Sequence, residues 1–191
     1  MLRKINTLFT NPMGVMIKYK RRLLYRYHGV IPPPRDEDYD HHWNYVSFEN
    51  KTVLDLGADF GSTPSYFLYR GANQIIAVEG DPSLASKLCD NFVGDRRVIP
   101  TELMVTHSSD INSLIIRYRP DIVKMDIEGA EINLLECPDE TLRSVKEWLI
   151  EAHNLDLCMK IRERFLGLGF SVTKVNYLTV YVIVATMSAA V

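Results

Sequence analysis

Short apolar runs alternate with amphipathic stretches along the chain after residue 50. Runs of strand length lie at residues 52–57, 74–79, 97–101, 121–126, 147–152 and 170–184. Between them, apolar residues follow helical spacing at residues 63–70, 82–93, 110–118, 129–136 and 154–167. Continuous apolar strands that alternate with helices are typical of a mostly parallel sheet with helices on both faces. The pattern therefore predicts a three-layer α/β sandwich.

The last apolar run predicts two strands, because residues 170–175 and 179–184 are joined by too few residues for a parallel crossover. We expect them to form an antiparallel hairpin, so that the sheet has six parallel strands and a seventh, reversed strand. The uncharged run at residues 175–191 is 17 residues long. It is short of the roughly 20 residues that span a bilayer, so we expect a buried strand and no transmembrane segment.

The amino-acid composition indicates the type of domain and the cellular compartment. The chain has 191 residues, of which 47% are hydrophobic, and it carries 22 Lys and Arg against 24 Asp and Glu. These values predict a globular domain with a sizeable core. Cys89, Cys137 and Cys158 have neither paired nor metal-type spacing, and no secretory signal pattern opens the chain. We expect reduced thiols and a cytoplasmic location.

Charge is distributed unevenly along the chain. Residues 1–35 hold eight basic residues and no acidic residue, whereas the remainder holds 14 basic and 24 acidic residues. Three prolines at positions 32–34 favour an extended segment, because each ring fixes φ and disfavours helix in the residue before it. We therefore divide the chain into a basic N-terminal arm with its Pro-rich linker, residues 1–39, and a main domain, residues 40–191.

The basic arm is predicted to be helical from about residue 13 to residue 27. Its cations between Arg3 and Arg26 are interleaved with apolar and aromatic residues. This combination suits RNA phosphates with aromatic stacking, or an anionic lipid surface. It also suits an amphipathic helix that packs on the domain and shows its charges to water. We favour this last interpretation, because charged helix faces usually face solvent.

The turn after the first predicted strand indicates a ligand site. In residues 52–65, Gly57 and Gly61 allow a tight turn and a close approach of the backbone to a ligand. Ser62 or Thr63 is expected to cap the helix that follows. A helix N-terminus beneath a Gly-rich turn, at the carboxyl edge of a parallel sheet, is a common ligand seat.

The spacing in this loop distinguishes between cofactors. A dinucleotide fingerprint requires a glycine two residues after Gly57, and this chain has Asp59 there. Asp55 would repel a pyrophosphate and suits a cationic ligand, such as a sulfonium that carries an amino group. Glu79 ends the second predicted strand, where a carboxylate can accept both hydroxyls of a ribose. We therefore expect Asp55 and Glu79 to hold opposite portions of one adenosyl sulfonium.

Three segments resemble known sequence motifs. Asp55-Leu-Gly-Ala-Asp-Phe-Gly61 and Ala77-Val-Glu-Gly-Asp-Pro82 resemble motifs one and two of the class I S-adenosylmethionine-dependent methyltransferases. Lys124-Met-Asp-Ile-Glu-Gly-Ala-Glu131 is similar to the signature of FkbM-type methyltransferases, and residues 148–153 continue the likeness. The resemblance covers about residues 50–155.

The resemblance implies a Rossmann-like fold and methyl transfer from S-adenosylmethionine, in this family generally to a hydroxyl oxygen of a sugar or small molecule. The chain departs from the family at Asp59 and Phe60, where Asn and a small or aliphatic residue are more common. Glu102 lies near the end of the third predicted strand, where an adenine amino group is expected. The predicted cofactor-binding residues are Asp55, Gly57, Ala58, Asp59, Gly61, Glu79, Gly80 and Glu102.

A second set of polar residues follows the fourth and fifth predicted strands. Lys124, Asp126 and Glu128 project to one side if the fourth strand persists that far, and Glu151 and His153 share a side of the fifth. Ionisable residues at the ends of apolar strands are costly to bury unless they are paired or used. We treat all five as candidate catalytic residues, and a structural Lys–Asp or Glu–His pair is the alternative.

Transfer of a methyl group to an alcohol requires that the acceptor be aligned and its proton removed. His153 and Asp126 are the candidate bases, and histidine has the better intrinsic pKa at neutral pH. Lys124 is expected to stabilise an oxyanion or to set the charges of its neighbours. Asp126, Glu128 and His153 also form a possible Mg²⁺ site. We do not favour it and assign no metal ligand, because spacing alone does not show that the three converge.

The remaining histidine pair, His41 and His42, follows an acidic run and is expected in a surface loop rather than in a lid or a metal site. Two other functions remain open. One is an RNA methyltransferase that uses the basic arm, and the other is a non-catalytic nucleoside-binding scaffold. The acceptor and the oligomeric state are not fixed by the sequence, because acceptor specificity depends on loop geometry.

Overall fold

The computed structural model describes residues 12–33, 38–177 and 179–187. The helices are α1 (Pro12–Tyr27), α2 (Tyr39–Trp43), α3 (Ser62–Tyr69), α4 (Pro82–Asn91), α5 (Ser108–Tyr118), α6 (Asp139–Ser144) and α7 (Leu155–Gly167), with a 3₁₀ helix at Ala130–Glu136. The strands are β1 (Thr52–Leu56), β2 (Gln74–Glu79), β3 (Val98–Glu102), β4 (Ile122–Met125), β5 (Glu147–Ala152), β6 (Ser171–Tyr177) and β7 (Val180–Thr186).

The seven strands form one sheet in the order β3-β2-β1-β4-β5-β7-β6. Neighbours from β3 to β5 are parallel, whereas β7 is antiparallel to both β5 and β6. Strand β7 is therefore the reversed strand, and the predicted mostly parallel sheet with a terminal hairpin is confirmed. The strand order reverses beside β1, and such a switch point leaves a crevice at the carboxyl ends of the strands.

The sheet is covered on both faces, which makes the three layers. One core cluster joins the sheet to α5, the 3₁₀ helix, α6 and α7, and it includes Ile115, Leu134 and Phe165. The other joins the opposite face to α1, α2, α3 and α4, and it includes Trp43 and Phe67. Helices on both faces bury nearly every residue of the central strands, which explains why those strands are apolar along their whole length.

The turn after β1 ties three strands together. The N–H groups of Gly57 and Ala58 both donate to the carbonyl of Val78, at 3.0 and 2.9 Å. Gly57 has φ +82°, and a Cβ placed on it would lie 1.8 Å from the carbonyl oxygen of Asp126. Only glycine fits this position, because the backbone after β4 passes against the turn.

Three local predictions differ from the structure. Gly61, with φ +104°, occupies the cap position of α3, and neither Ser62 nor Thr63 caps it. Residues 130–136 form a 3₁₀ helix rather than an α-helix, and the Glu131 carboxylate accepts hydrogen bonds from the N–H groups of Ile127 and Gly129 just before it. Helix α6 was not predicted.

Helix α1 packs on the domain. The ring of Tyr25 is buried and stacks on Tyr69 at 4.3 Å between ring centroids, and Arg97 donates to the carbonyl of Gly29 at 2.9 Å. The predicted arm helix is present, and its Arg3 lies outside the described residues. No helix in the described part of the chain is both long and apolar enough to cross a bilayer.

Candidate functional site

A cavity of about 720 Å³ opens at the carboxyl ends of β1, β2 and β4. Ligand pockets commonly have volumes of about 300–1,000 Å³, so this cavity can hold a nucleoside-sized molecule. Its lining residues include Gly57, Asp59, Glu79, Gly80, Asp81, Leu84, Leu103, Met104, Asp126 and Glu128. The cavity therefore lies where the glycine loop and the strand switch point predict a ligand.

Glu79 ends β2 on the wall of this cavity and organises its rim. One carboxylate oxygen accepts from the N–H of Asp59 at 2.8 Å, and the other accepts from the N–H of Asp81 at 2.8 Å. Each carboxylate oxygen has two lone-pair sites, so both oxygens can accept a further hydrogen bond. Glu79 thus fixes the glycine loop and keeps acceptor capacity for the two hydroxyls of a ribose.

Asp55 is not among the residues that line this cavity. Its side chain is fully buried, with one oxygen 3.1 Å from Nζ of Lys124 and the other accepting from the hydroxyl of Thr63 at 2.5 Å. Strand pairing explains the contact, because Asp55 and Lys124 are partners in the β1–β4 register. Asp55 therefore supports the loop from beneath.

The other predicted cofactor residues divide into two groups. Gly57, Asp59, Glu79 and Gly80 line the cavity, whereas Ala58, Gly61 and Glu102 are not among its lining residues. Gly61 faces the ring of Phe92 as the cap of α3, and Ala58 is fully buried. Glu102 is exposed at the end of β3, beside Glu79 in the β2–β3 register, and is not on the cavity wall.

Lys124 is fully buried and does not reach the large cavity. Its Nζ donates to the carbonyls of Leu56 and Gly57, at 3.2 and 2.7 Å, and lies 5.5 Å from the centroid of the Trp43 ring. Nζ also lies 3.8 Å from Asp126. These contacts favour the role of setting its neighbours' charges over that of an oxyanion contact.

The five candidate catalytic residues converge at the ends of β4 and β5, which are neighbours in the sheet. The Nε2 atom of His153 lies 3.2 Å from Glu128, 3.7 Å from Glu151 and 3.9 Å from Asp126. Its Nδ1 atom lies 3.9 Å from the buried carboxylate of Glu131. One imidazole therefore sits among four carboxylates, beside the large cavity that Asp126 and Glu128 line.

His42 belongs to this cluster, and its prediction as a surface loop residue was wrong. It lies on α2, which the buried Trp43 and the hydrogen bond from Tyr66 to Asp40 (3.0 Å) hold against the domain. Its Nε2 lies 2.6 Å from Glu151, and both side chains are nearly buried. Its ring stacks on Trp43. The sequence signal for this position is the group of aromatic residues around it, Tyr39, Trp43 and Tyr45.

A smaller cavity of about 70 Å³ lies under α2 and shares Gly57, Asp59 and Asp126 with the large one. His42, Trp43 and Lys124 also line it. The two cavities thus meet at Gly57, Asp59 and Asp126. Helix α2 closes one side of this junction.

Burial and charge shift three pKa values in the cluster. Burial raises the pKa of Asp126 above its ordinary value. Burial by itself lowers the pKa of Lys124, but the carboxylates of Asp55 and Asp126 outweigh it and the pKa is raised. Burial would raise the pKa of Glu151, but the hydrogen bond and charge of His42 reverse this and the pKa is lowered. Lys124 is therefore a fixed cation, and Asp126 is a carboxylate with increased basicity.

Donor atoms of Asp126, Glu128 and His153 lie within 4.8 Å of one another. The predicted set of possible Mg²⁺ ligands therefore converges. Two carboxylate oxygens and one imidazole nitrogen are a donor set that Mg²⁺, Mn²⁺ and Zn²⁺ accept. The same atoms are also paired with one another, which accounts for their proximity without a metal.

Residues 93–172 match the family described as the methyltransferase FkbM domain. The match begins after the glycine loop and Glu79, and it includes the whole β4–β5 cluster except His42. The resemblance that the sequence motifs indicated is confirmed.

The chain is also similar to individual proteins, at sequence identities below 30%. The chain is 27% identical over 121 residues to Uncharacterized protein 65 of Sulfolobus islandicus filamentous virus, which covers 61% of this chain and 68% of the viral protein. Precorrin-6y C5,15-methyltransferase from Geobacter metallireducens superposes with a TM-score of 0.56 and 22% identity, over 73% of this chain and 81% of that chain. Aeropyrum pernix fibrillarin, solved with natively bound S-adenosyl-L-methionine, gives a TM-score of 0.54 and 17% identity, over 72% and 67%. At these identities the two structures establish the fold alone.

Proposed function

We propose that this chain is an FkbM-type S-adenosylmethionine-dependent methyltransferase, because residues 93–172 match the domain of that family, and that it transfers the methyl group to a hydroxyl oxygen of a small-molecule or sugar acceptor. The observation that carries the proposal is one cavity with two different ends. Glu79 and the glycine loop form one end, and Asp126 and Glu128 beside His153 form the other.

The Glu79 end suits the nucleoside portion of the cofactor. Its carboxylate lines the cavity with spare acceptor capacity, and Gly57 and Gly80 line the cavity beside it. Asp59 and Asp126 lie at the junction of the two cavities, where their negative charge favours the amino group and sulfonium of S-adenosylmethionine. Asp55 and Lys124 hold this junction from beneath.

When bound, S-adenosylmethionine supplies a methyl group on a positively charged sulfur. The sulfur is a good leaving group, because it becomes a neutral thioether when the methyl group is transferred. The protein must hold the acceptor oxygen in line with that methyl group and accept the hydroxyl proton as the new bond forms. We propose that Nε2 of His153 accepts the proton of the acceptor hydroxyl. Asp126, Glu128 and Glu151 lie within 4 Å of that nitrogen and stabilise the imidazolium that results.

Glu151 lies beside the base, and His42 holds Glu151. One oxygen of Glu151 lies 2.6 Å from Nε2 of His42, and the other lies 3.7 Å from Nε2 of His153. A carboxylate held close to the nitrogen that takes the proton favours the imidazolium by its charge. We therefore propose that Glu151 and His42 act as positioning residues.

RNA is a weaker candidate for the acceptor. The cluster around His153 contains Asp126, Glu128, Glu131 and Glu151, and these carboxylates repel phosphate groups that approach the junction. An uncharged polyhydroxyl acceptor has no such penalty and can donate hydrogen bonds to them. The cytoplasmic location stays a prediction.

Calorimetry with S-adenosylmethionine and S-adenosylhomocysteine tests the proposal. We expect both to bind, and Glu79→Gln to weaken S-adenosylhomocysteine about tenfold, because hydrogen bonds to a charged acceptor contribute about 1.5–3 kcal/mol. Glu102→Gln is the matched control, because Glu102 is adjacent in register and is not among the lining residues. Absence of binding by both ligands at millimolar concentration would reject the proposal. Binding without methyl transfer to any acceptor in a screen of alcohols and sugars would indicate the non-catalytic scaffold.

A further inference from the structure

Helix α1 exposes an apolar stripe that the domain does not cover. Met16, Leu23 and Tyr27 follow one another at helical spacing, and Leu24 lies beside them. The exposed fraction is 50% for Met16, 46% for Leu23, 48% for Leu24 and 85% for Tyr27. Large apolar residues grouped on one helix face mark an interaction surface more often than isolated exposed residues do.

The packing of α1 on the domain fixes which face is exposed. Tyr25 is 3% exposed and stacks on Tyr69, and Val30 is buried behind the end of the helix. Tyr25 lies about half a helical turn from Leu23 and Tyr27, so burying it leaves the apolar stripe on the outer side. The stripe is therefore held outward by the same contacts that anchor the helix.

Charge determines which partner fits this surface. Lys20, Arg22 and Arg26 are exposed on α1, and residues 1–35 contain no acidic residue. A helix with cations beside an exposed apolar stripe is typical of helices that lie in the interface of an anionic bilayer. The helix has 16 residues, fewer than the roughly 20 that span a bilayer, so it can lie on the surface and not cross it.

The apolar side chains favour lipid over RNA as the partner. Single-stranded nucleic acid is held by aromatic rings that stack on bases. Of the four stripe residues, three are aliphatic and only Tyr27 has a ring to stack. Aliphatic side chains do enter the boundary between headgroups and acyl chains.

We propose that α1 docks this protein on the surface of an anionic phospholipid bilayer. Met16, Leu23, Leu24 and Tyr27 enter the headgroup region, and the neighbouring cations pair with lipid phosphates and carboxylates. None of these four residues lines either cavity, so the docking proposal does not depend on the proposed methyl transfer.

Flotation of the full chain with vesicles tests the proposal. We expect binding to vesicles of phosphatidylcholine mixed with phosphatidylserine, weak binding to phosphatidylcholine alone, and loss of binding as salt is raised. The double variant Leu23→Ser, Leu24→Ser should weaken binding about tenfold, because each leucine loses apolar area that lipid would bury. The control Ile116→Ser, Leu166→Ser removes exposed apolar residues from α5 and α7 and should leave binding unchanged.

The charge contribution has its own pair of variants. Arg26→Gln should weaken binding to the anionic vesicles about fivefold, because each basic residue near such a surface contributes about 1 kcal/mol. Lys87→Gln on α4 removes one exposed cation elsewhere and should have no effect. No vesicle binding, equal binding by the Leu23, Leu24 variant and its control, or binding of single-stranded RNA but not of vesicles would each overturn the proposal. Calorimetry with S-adenosylhomocysteine should give the same affinity for all four variants if they remain folded.

Discussion

The two ends of the cavity are built in different ways. At the Glu79 end, glycines and apolar side chains such as Leu103 and Met104 line the cavity, and a single carboxylate anchors the loop through two N–H groups. At the other end, Asp126 and Glu128 line the cavity, and ionisable side chains from two further segments lie behind them: His153 with Glu151, and His42. The first end forms a shape that a ligand fills, whereas the second is a network of charges whose protonation states depend on one another.

Substitutions at the two ends of the cavity should affect different properties of the protein. A substitution at the Glu79 end should change ligand affinity with little effect on folding, because the side chains there face an open cavity. A substitution at the buried end of the charge network should change stability, because removing one partner leaves another charge buried without its counterion. Three substitutions and the removal of divalent cations test the charge network.

Asp55→Ala should be the most destabilising change. It leaves the buried ammonium of Lys124 without its closest carboxylate, and breaking a buried pair costs about 3–5 kcal/mol in the free energy of unfolding. Urea unfolding measures this loss. The double variant Asp55→Leu, Lys124→Met should recover most of the stability, because neither charge is then buried. Unchanged stability combined with lost cofactor affinity would instead make Asp55 a direct ligand.

His42→Gln should lower the free energy of unfolding by about 2 kcal/mol at neutral pH, a typical value for a hydrogen bond to a charged group. His42 holds the pKa of Glu151 below its ordinary value, so this stabilisation is present above the unfolded-state pKa and is lost as pH falls through the folded-state pKa. The difference between wild type and variant should therefore shrink in acid. His41→Gln is the control, because that neighbouring ring is exposed. An equal effect of both variants would contradict the assignment.

Asp126→Asn should raise the free energy of unfolding by about 1 kcal/mol at neutral pH, which is within the range of single stabilising substitutions. Burial raises the pKa of Asp126, so its contribution to stability is present below the unfolded-state pKa and is lost as pH rises through the folded-state pKa. The neutral amide of the variant does not ionise, so the variant does not lose stability as pH rises. Thermal melting at pH 7 and at pH 4 should show a gain that is larger at pH 7. A loss of stability at pH 7 would mean that the carboxylate is needed structurally.

Removal of divalent cations should have the smallest effect. We expect a chelator to leave the affinity for S-adenosylhomocysteine and the melting temperature unchanged, because Lys124 and the two histidines already lie beside the carboxylates. Titration with Mn²⁺ alone, followed by electron paramagnetic resonance, gives an independent measurement. Tight Mn²⁺ binding that His153→Ala abolishes would show that the Asp126, Glu128 and His153 donors hold a metal.

Much of the fold was accessible from the sequence. The strands were predicted because a buried parallel strand is apolar along its whole length, and the terminal hairpin because its connection is too short for a crossover. The cap of α3 was not, because Thr63 was expected to bond the helix backbone and instead bonds Asp55. The burial of the Glu131 carboxylate, which accepts from the N–H groups of Ile127 and Gly129, was likewise not predicted.

The candidate site was only partly accessible. Glu79, Asp126 and His153 were predicted because each follows a strand, and the ends of parallel strands meet at one edge. His42 was missed because its segment has no strand pattern, and its partner Glu151 lies far along the chain. The contact between Asp55 and Lys124 was not predicted, because the register between β1 and β4 cannot be read from the sequence.

The alternation of strands and helices, the tight turn at Gly57 and the family resemblance could all be read along the chain. These depend on side-chain periodicity and backbone freedom, which are properties of residues close together in the chain. Which charges meet, in contrast, depends on how the strands and helices pack. Placing β4 between β1 and β5 brings Lys124 against Asp55 and Asp126 beside His153, and packing of α2 brings His42 to Glu151. A charge interacts with whatever lies within a few ångströms of it, and strand order and helix packing set that distance.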